Sequence, residues 1–210
     1  IENATKLGFK NGSALYPMVT MNGAECPNEW DITVEEIHRN GAIAYAIFNY
    51  ERFTGDHTYI PEMGLEVLIA ISRFWAERVN YSENKKAYVI LGVTGPNEYE
   101  NNVNNNWYTN YLAQWCLLYT TKEILKIKKT HPQHWNKIKQ KVSWQESEID
   151  KWNQIATQIH FPRHPENDIF LQQDGFLDKT IIPASSIDKS ERPINQHWSW
   201  DRILRSPFIK

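Results

Sequence analysis

Apolar positions fall into four stretches of helical period, separated by segments rich in glycine, proline and asparagine. The first opens at Thr33-Val34-Glu35-Glu36, which reads as a capping box with Thr33 as N-cap and Glu36 reaching back. Val34, Ile37, Gly41, Ala44, Tyr45 and Phe48 follow at helical spacing until Gly55-Asp56 ends the helix. The small residues Gly41, Ala42, Ala44 and Ala46 predict that a neighbouring helix approaches closely. A second helix begins near Pro61, a good first-turn residue. Its Leu65, Leu68, Ile69, Ser72, Phe74, Trp75 and Val79 spread around the circumference, as in a helix packed on two sides. A third runs from about Trp107 to Ile127, before a turn at His131-Pro132. Ile149, Trp152, Ile155 and Ile159 mark a fourth, stopped by Pro162.

The intervening segments are less regular. Gly8, Asn11-Gly12, Pro17, Asn22-Gly23 and Pro27 make the chain turn-rich up to about Trp30. Residues 87–91 are a short β-branched run, expected to be a strand that leads into the loop 92–106. Residues 168–173 are a second candidate strand. The tail 180–210 is Pro-punctuated loop with one helical turn near 200–204. The expected class is therefore all-α, a helical array with short β segments in its loops. No internal repeat or linker interrupts 1–210, which reads as a single unit.

Composition narrows the functional classes more than it alters the fold. A net charge of -2 supplies no basic field, so no nucleic-acid partner is expected. No apolar run approaches the roughly 20 residues that span a bilayer, so no membrane partner is expected either. Cys26 and Cys116 are the only cysteines and form no CxxC, which argues against a disulfide framework and for a reducing cytoplasm. The lysines between 122 and 141 read as a solvated helix face. Aromatic content is high, at 9 Trp, 10 Tyr and 8 Phe, and fits a core of large side chains better than a set of sugar-stacking platforms. The chain opens on Ile1 and ends Ser206-Pro207-Phe208-Ile209-Lys210, so both ends read as cut.

Metal chemistry is disfavoured. His160 and His164 are four apart, but Pro162 and Pro165 forbid the helix that would align them, and His131 and His134 sit in a Pro-containing turn. No GxSxG, Walker loop or GxGxxG is present. Carboxylates beside amides and aromatics remain. Glu98, in Gly95-Pro96-Asn97-Glu98-Tyr99, lies on a stiff loop beside Asn97, Tyr99 and Asn101, Asn102, Asn104, Asn105 and Asn106. Those amides could meet sugar hydroxyls, or merely cap the helix that follows. An acid working near neutral pH needs a raised pKa, which a dry aromatic pocket would supply. A second cluster is Asn28-Glu29-Trp30-Asp31 followed by Glu35, Glu36, His38 and Arg39. Trp30 between carboxylates suits a sugar face, whereas acids at a helix N-terminus are favoured without any ligand. The capping box accounts for Glu36.

Several motifs together resemble glycoside hydrolase family 65. They are Leu15-Tyr16-Pro17-Met18-Val19-Thr20-Met21-Asn22-Gly23, Glu36-Ile37-His38-Arg39-Asn40-Gly41-Ala42-Ile43-Ala44-Tyr45, Gly64-Leu65-Glu66-Val67-Leu68-Ile69, the run from Gly92 through Glu98 to Asn106, and Ser199-Trp200-Asp201-Arg202-Ile203-Leu204-Arg205. The resemblance implies the central part of an (α/α)6-barrel catalytic domain, truncated at both ends. It implies inverting attack by inorganic phosphate, a co-substrate, on the anomeric carbon of an α-glucoside, with no cofactor and no metal. Maltose would give β-glucose 1-phosphate and glucose; trehalose, kojibiose and hydrolysis of a glucoamylase type are the alternatives. Glu98 takes the place of the general acid, while Asn28, Glu29, Trp30, Asn97 and Lys210 take places that contact sugar. The family carries His where this chain has Pro27. A homodimer is the family's usual assembly, and the excised chain alone is expected to be inactive.

Overall fold

The computed structural model describes residues 1–26 and 32–208. Its helices are α1 (Glu2–Lys6), α2 (Ile32–Glu35), α3 (Arg39–Thr54), α4 (Leu65–Arg78), α5 (Trp107–Thr130), α6 (Pro132–Lys141), α7 (Ser147–Gln158), α8 (Ile194–His197) and α9 (Trp200–Arg205). A two-stranded antiparallel hairpin, β1 (Asn80–Ser82) and β2 (Ala87–Val89), joins α4 to the loop that precedes α5, with Tyr81 opposite Tyr88.

The 24-residue helix α5 is the spine. It packs against α3, α4, α6 and α7, so its partners lie on several sides. Leu68, Ile69, Phe74 and Trp75 of α4 meet Cys116, Leu117 and Ile124 of α5 and Trp152, Ile155 of α7 in one continuous core. Each large side chain taken fully from water contributes roughly 1.5–3 kcal/mol, and the core holds many. Gly41 lets α3 close on α5: a Cβ there would lie 2.7 Å from Leu112 Cδ1. Ala44 is buried as well, but Ala42 and Ala46 face away, so only half of the small-residue stripe makes the contact.

Polar groups fix the helices in register. Arg73 of α4 meets Glu148 of α7 through Nε and Nη2 at 2.7 and 2.8 Å. This paired fork recovers what both charges lose on burial. Asn40 holds the N-terminal segment, donating to the Ala14 carbonyl at 2.8 Å and accepting from the Tyr16 amide at 2.9 Å.

The structure departs from the sequence reading at four places. The predicted capping box is absent: Thr33 lies inside α2, the chain breaks at 36–38, and α3 begins only at Arg39. Glu36 is thereby released from any capping duty. Pro61 sits in a π-helical turn, Ile60–Gly64, and regular α4 follows it. His131-Pro132 is not simply a turn, because Pro132 is the first residue of α6 and His134 belongs to that helix. Residues 168–173 form no strand; an isolated bridge pairs Phe170 with Arg163. Gly55, by contrast, ends α3 in the left-handed conformation, φ 70°, as a helix-terminal glycine should.

The aromatic excess is largely core. Trp135, Trp144 and Trp152 pack edge to face at 5.6 and 5.4 Å where α6 meets α7, and all three are buried. The lysine face is more social than expected. Lys126 reaches Glu51 of α3 at 3.0 Å, Lys128 reaches Glu146 at 2.6 Å, and Lys141 reaches Glu66 of α4 at 2.7 Å.

Candidate active site

The loop 92–106 leaves the hairpin and ends at the N-terminus of α5. It is closed on itself by Val93 and Val103, whose backbones exchange hydrogen bonds at 2.9 and 2.8 Å. The asparagines in it serve the loop itself. Asn106 caps α5, accepting from the Thr109 amide at 3.1 Å. Asn105 accepts from Ile90 at 3.1 Å and donates to Asp174 at 2.7 Å, while Asn104 accepts from Gly92 at 3.0 Å. Asn101 donates to the Glu98 carbonyl at 2.9 Å and to Thr94 Oγ1 at 3.2 Å. Capping and loop closure, rather than sugar contact, explain this run.

Glycine at position 95 is a packing requirement. A Cβ there would fall 2.6 Å from Asn106 Cγ, so the backbone can lie against the helix cap only without a side chain. The tip Pro96–Asn97–Glu98 is thus carried by a frame with little freedom.

Glu35 fastens this frame to α2. Its Oε2 accepts from Thr94 Oγ1 at 2.6 Å and from the Asn102 amide at 3.0 Å, and its carbonyl accepts from the Thr94 amide at 3.2 Å. The His38 ring donates to the Thr94 carbonyl; burial holds this imidazole below its ordinary range. Arg39 braces the same segment, donating to the Tyr16 carbonyl at 2.6 Å and the Glu36 carbonyl at 2.9 Å.

Against this scaffold Glu98 is exposed, and its carboxyl meets that of Glu36 in a hydrogen bond. Glu36 is buried. Two carboxylates cannot hydrogen bond without a proton between them, so one is an acid. Burial, then the neighbouring Glu98 charge, push the Glu36 carboxyl up to about 7, with Arg39 opposing. The proton therefore resides on Glu36. Sequence reading assigned Glu36 to a cap and missed this pair. The signal that could have exposed it was weak: two adjacent glutamates, of which a cap needs only one.

Asn97 accepts from the Tyr99 amide at 3.2 Å and donates to Gln172 at 3.4 Å. It lines a cleft of about 350 Å³ together with Pro96, Trp107, Tyr108, Phe170 and Gln172. Glu98 is not part of that lining. Tyr99 packs on Trp200 of α9 with ring centroids 5.5 Å apart, which brings an aromatic face beside the acid. Asn28, Glu29, Trp30 and Lys210 lie outside the described residues. Among the described residues no group of three or more His, Cys, Asp or Glu side chains could hold a metal ion, and no helix is long and apolar enough to cross a membrane.

Comparison with known proteins places this architecture among (α/α)6-barrel catalytic domains. A solved structure provisionally assigned as a kojibiose phosphorylase from the human microbiome superposes with a TM-score of 0.83 at 31% identity, covering 100% of this chain and 29% of that one. The model of the glycosyl hydrolase family 65 central catalytic domain matches residues 1–210, and the chain belongs to that family. The maltose phosphorylase of Bacillus subtilis is 54% identical over 99% of this chain. The α,α-trehalose phosphorylase of Thermoanaerobacter brockii is 35% identical over 99%, and the kojibiose phosphorylase of Halothermothrix orenii 30% identical over 100%. The chain spans 26%, 27% and 29% of the length of these three relatives.

Proposed function

We propose that the full-length protein carrying this chain phosphorolyses an α-glucosidic disaccharide, with maltose as the substrate and β-glucose 1-phosphate and glucose as products. The observation that carries the choice of maltose is the 54% identity to a maltose phosphorylase, against 35% and 30% for the trehalose and kojibiose relatives.

In this reading Glu98 protonates the bridging oxygen as the bond to the anomeric carbon breaks. A phosphate oxygen attacks the opposite face of that carbon, which inverts its configuration. The hydrogen phosphate loses its proton on becoming a sugar phosphate, and a proton returns to Glu98, so none is consumed. Phosphate arrives already anionic and needs no general base. Inorganic phosphate is a co-substrate, and no cofactor is required. Asn28, Glu29, Trp30, Asn97 and Lys210 would contact the sugars.

Inverting hydrolysis is the competing reading, and it requires a second carboxylate roughly 6.5–9.5 Å from the acid to activate water. Glu36 stands too close, at hydrogen-bond distance from Glu98. Glu35 has committed Oε2 to Thr94 and Asn102. Both observations favour phosphorolysis. The test is to supply maltose, trehalose and kojibiose to the full-length protein with and without inorganic phosphate. Phosphate-dependent release of β-glucose 1-phosphate from maltose is expected; glucose release that ignores phosphate would overturn the reading.

A further inference from the structure

We propose that Glu36 is a positioning residue for the reaction: as a neutral carboxylic acid it donates its O–H to the Glu98 carboxyl, aims that carboxyl, and steadies the carboxylate left behind once Glu98 has given up its proton. The inference rests on the role assigned to Glu98 above.

The geometry separates the two glutamates by function. Glu98 is exposed, on the tip of a braced loop, where an unaided side chain would sample several rotamers. Glu36 is buried and comes from a different segment, the break between α2 and α3. Its backbone is fixed at both ends: its amide donates to Ile32 at 2.9 Å and its carbonyl accepts from Arg39 at 2.9 Å. A buried, anchored acid therefore holds an exposed one.

The charged and titratable groups around Glu36 are Glu98 and Arg39, with Glu35 and His38 beside it in sequence. Glu35 is turned to Thr94 and Asn102, and His38 to the Thr94 carbonyl, so neither takes the Glu36 proton. Its raised affinity for that proton, to about 7, keeps Glu36 a donor under mildly acidic to neutral conditions. A carboxylic acid kept neutral to act as donor is an established device in enzymes. Here the bond strengthens as Glu98 becomes negative, so it acts on the transition state more than on substrate binding.

The prediction distinguishes donation from mere filling of space. In the full-length protein, Glu36→Gln keeps a donor and should hold kcat within about tenfold of the parent. Glu36→Leu fills the site without one and should lower kcat about a hundredfold, the usual cost of a lost donor to developing charge, with KM for maltose nearly unchanged. The alkaline limb of the Leu variant's rate profile should also move to higher pH, because Glu98 loses a donor that favours its charged form. Melting temperatures check folding, and Glu36→Ala replaces the Leu variant if that one does not fold. Glu98→Gln must abolish turnover in the same assay. If it does, and Gln and Leu at position 36 are equally impaired or equally unimpaired, Glu36 is not the donor and the proposal is overturned while the role of Glu98 stands. An active Glu98→Gln would remove the acid assignment itself and this inference with it.

Discussion

The side chain of Asn106 occupies the space that a Cβ on Gly95 would need, with Cγ only 2.6 Å from that position. The same Asn106 accepts from the Thr109 amide as the cap of α5, so a glycine before the acid loop and the start of the longest helix share one contact. Substituting Gly95 with Ala should push Asn106 out of its capping geometry. The expected cost is about 1–3 kcal/mol of stability, from overpacking together with part of a helix cap. Turnover should fall along with it. Chemical denaturation of the full-length protein measures the first and the maltose assay the second; a variant equal to the parent in both would show that the loop can shift freely.

Removing the Glu35 carboxylate should loosen the acid loop without unfolding the domain. Glu35→Ala deletes two hydrogen bonds from Thr94 and Asn102, each worth about 1 kcal/mol, more where the acceptor is charged. Amide hydrogen exchange at Asn102 should accelerate while exchange in the middle of α5 stays slow. Uniform acceleration across the chain would instead mean that Glu35 supports the whole fold.

Glu36 should make stability depend on pH in one direction. Its proton affinity is raised on folding, from 4.5 to about 7, so the unfolded chain ionises first. The stability this group confers is fully present below about 4.5 and is lost as pH rises through about 7. Glu36→Gln cannot ionise. Relative to the parent it should gain stability between pH 5 and pH 8, by on the order of 1–3 kcal/mol. Denaturant titrations at those two values measure it, and a variant that tracks the parent at both would show that Glu36 is ionised throughout.

The α3–α5 contact can be tested by exchange of volume. Gly41→Ala would place a methyl 2.8 Å from Leu112 Cβ, which a rotamer change cannot relieve. It should cost about 1–3 kcal/mol. Adding Leu112→Ala should recover part of that loss, giving a coupling of opposite sign to the single effects. Additive losses would indicate that the two helices part instead of clashing.

Arg73 and Glu148 join α4 to α7 by a bidentate pair with little exposure. Arg73→Met should destabilise by about 3 kcal/mol, because it strands a carboxylate in the gap. The double variant with Glu148→Leu should be closer to the parent than Arg73→Met alone. Thermal unfolding of the three variants decides this.

The period of apolar residues revealed the helices with most of the core, because burial of one stripe is a local property of sequence. Leu68, Ile69, Phe74 and Trp75 could be assigned to a doubly packed helix on spacing alone, and they are fully buried. Helix α6 escaped because Pro132 was taken as a turn signal, although proline is equally at home in the first turn of a helix. Glu36 escaped for a related reason: Thr-x-x-Glu satisfies the local rule for a cap, and only the fold shows that the backbone breaks there. The partner that redefines Glu36 is 62 residues away in the chain, beyond the reach of any local pattern. Glu98 was legible as a candidate because it sits in a distinctive motif, while its environment was not.

Glu35 and Glu36 are consecutive in the chain but serve opposite ends of one task, the first gripping the loop and the second addressing the side chain at its tip. Evolutionary drift at this point should therefore be correlated rather than independent. A relative that shortens residue 35 to aspartate would have to redraw residues 94 and 102 as well, or its acid would be offset by a methylene's length from the bond it must cleave.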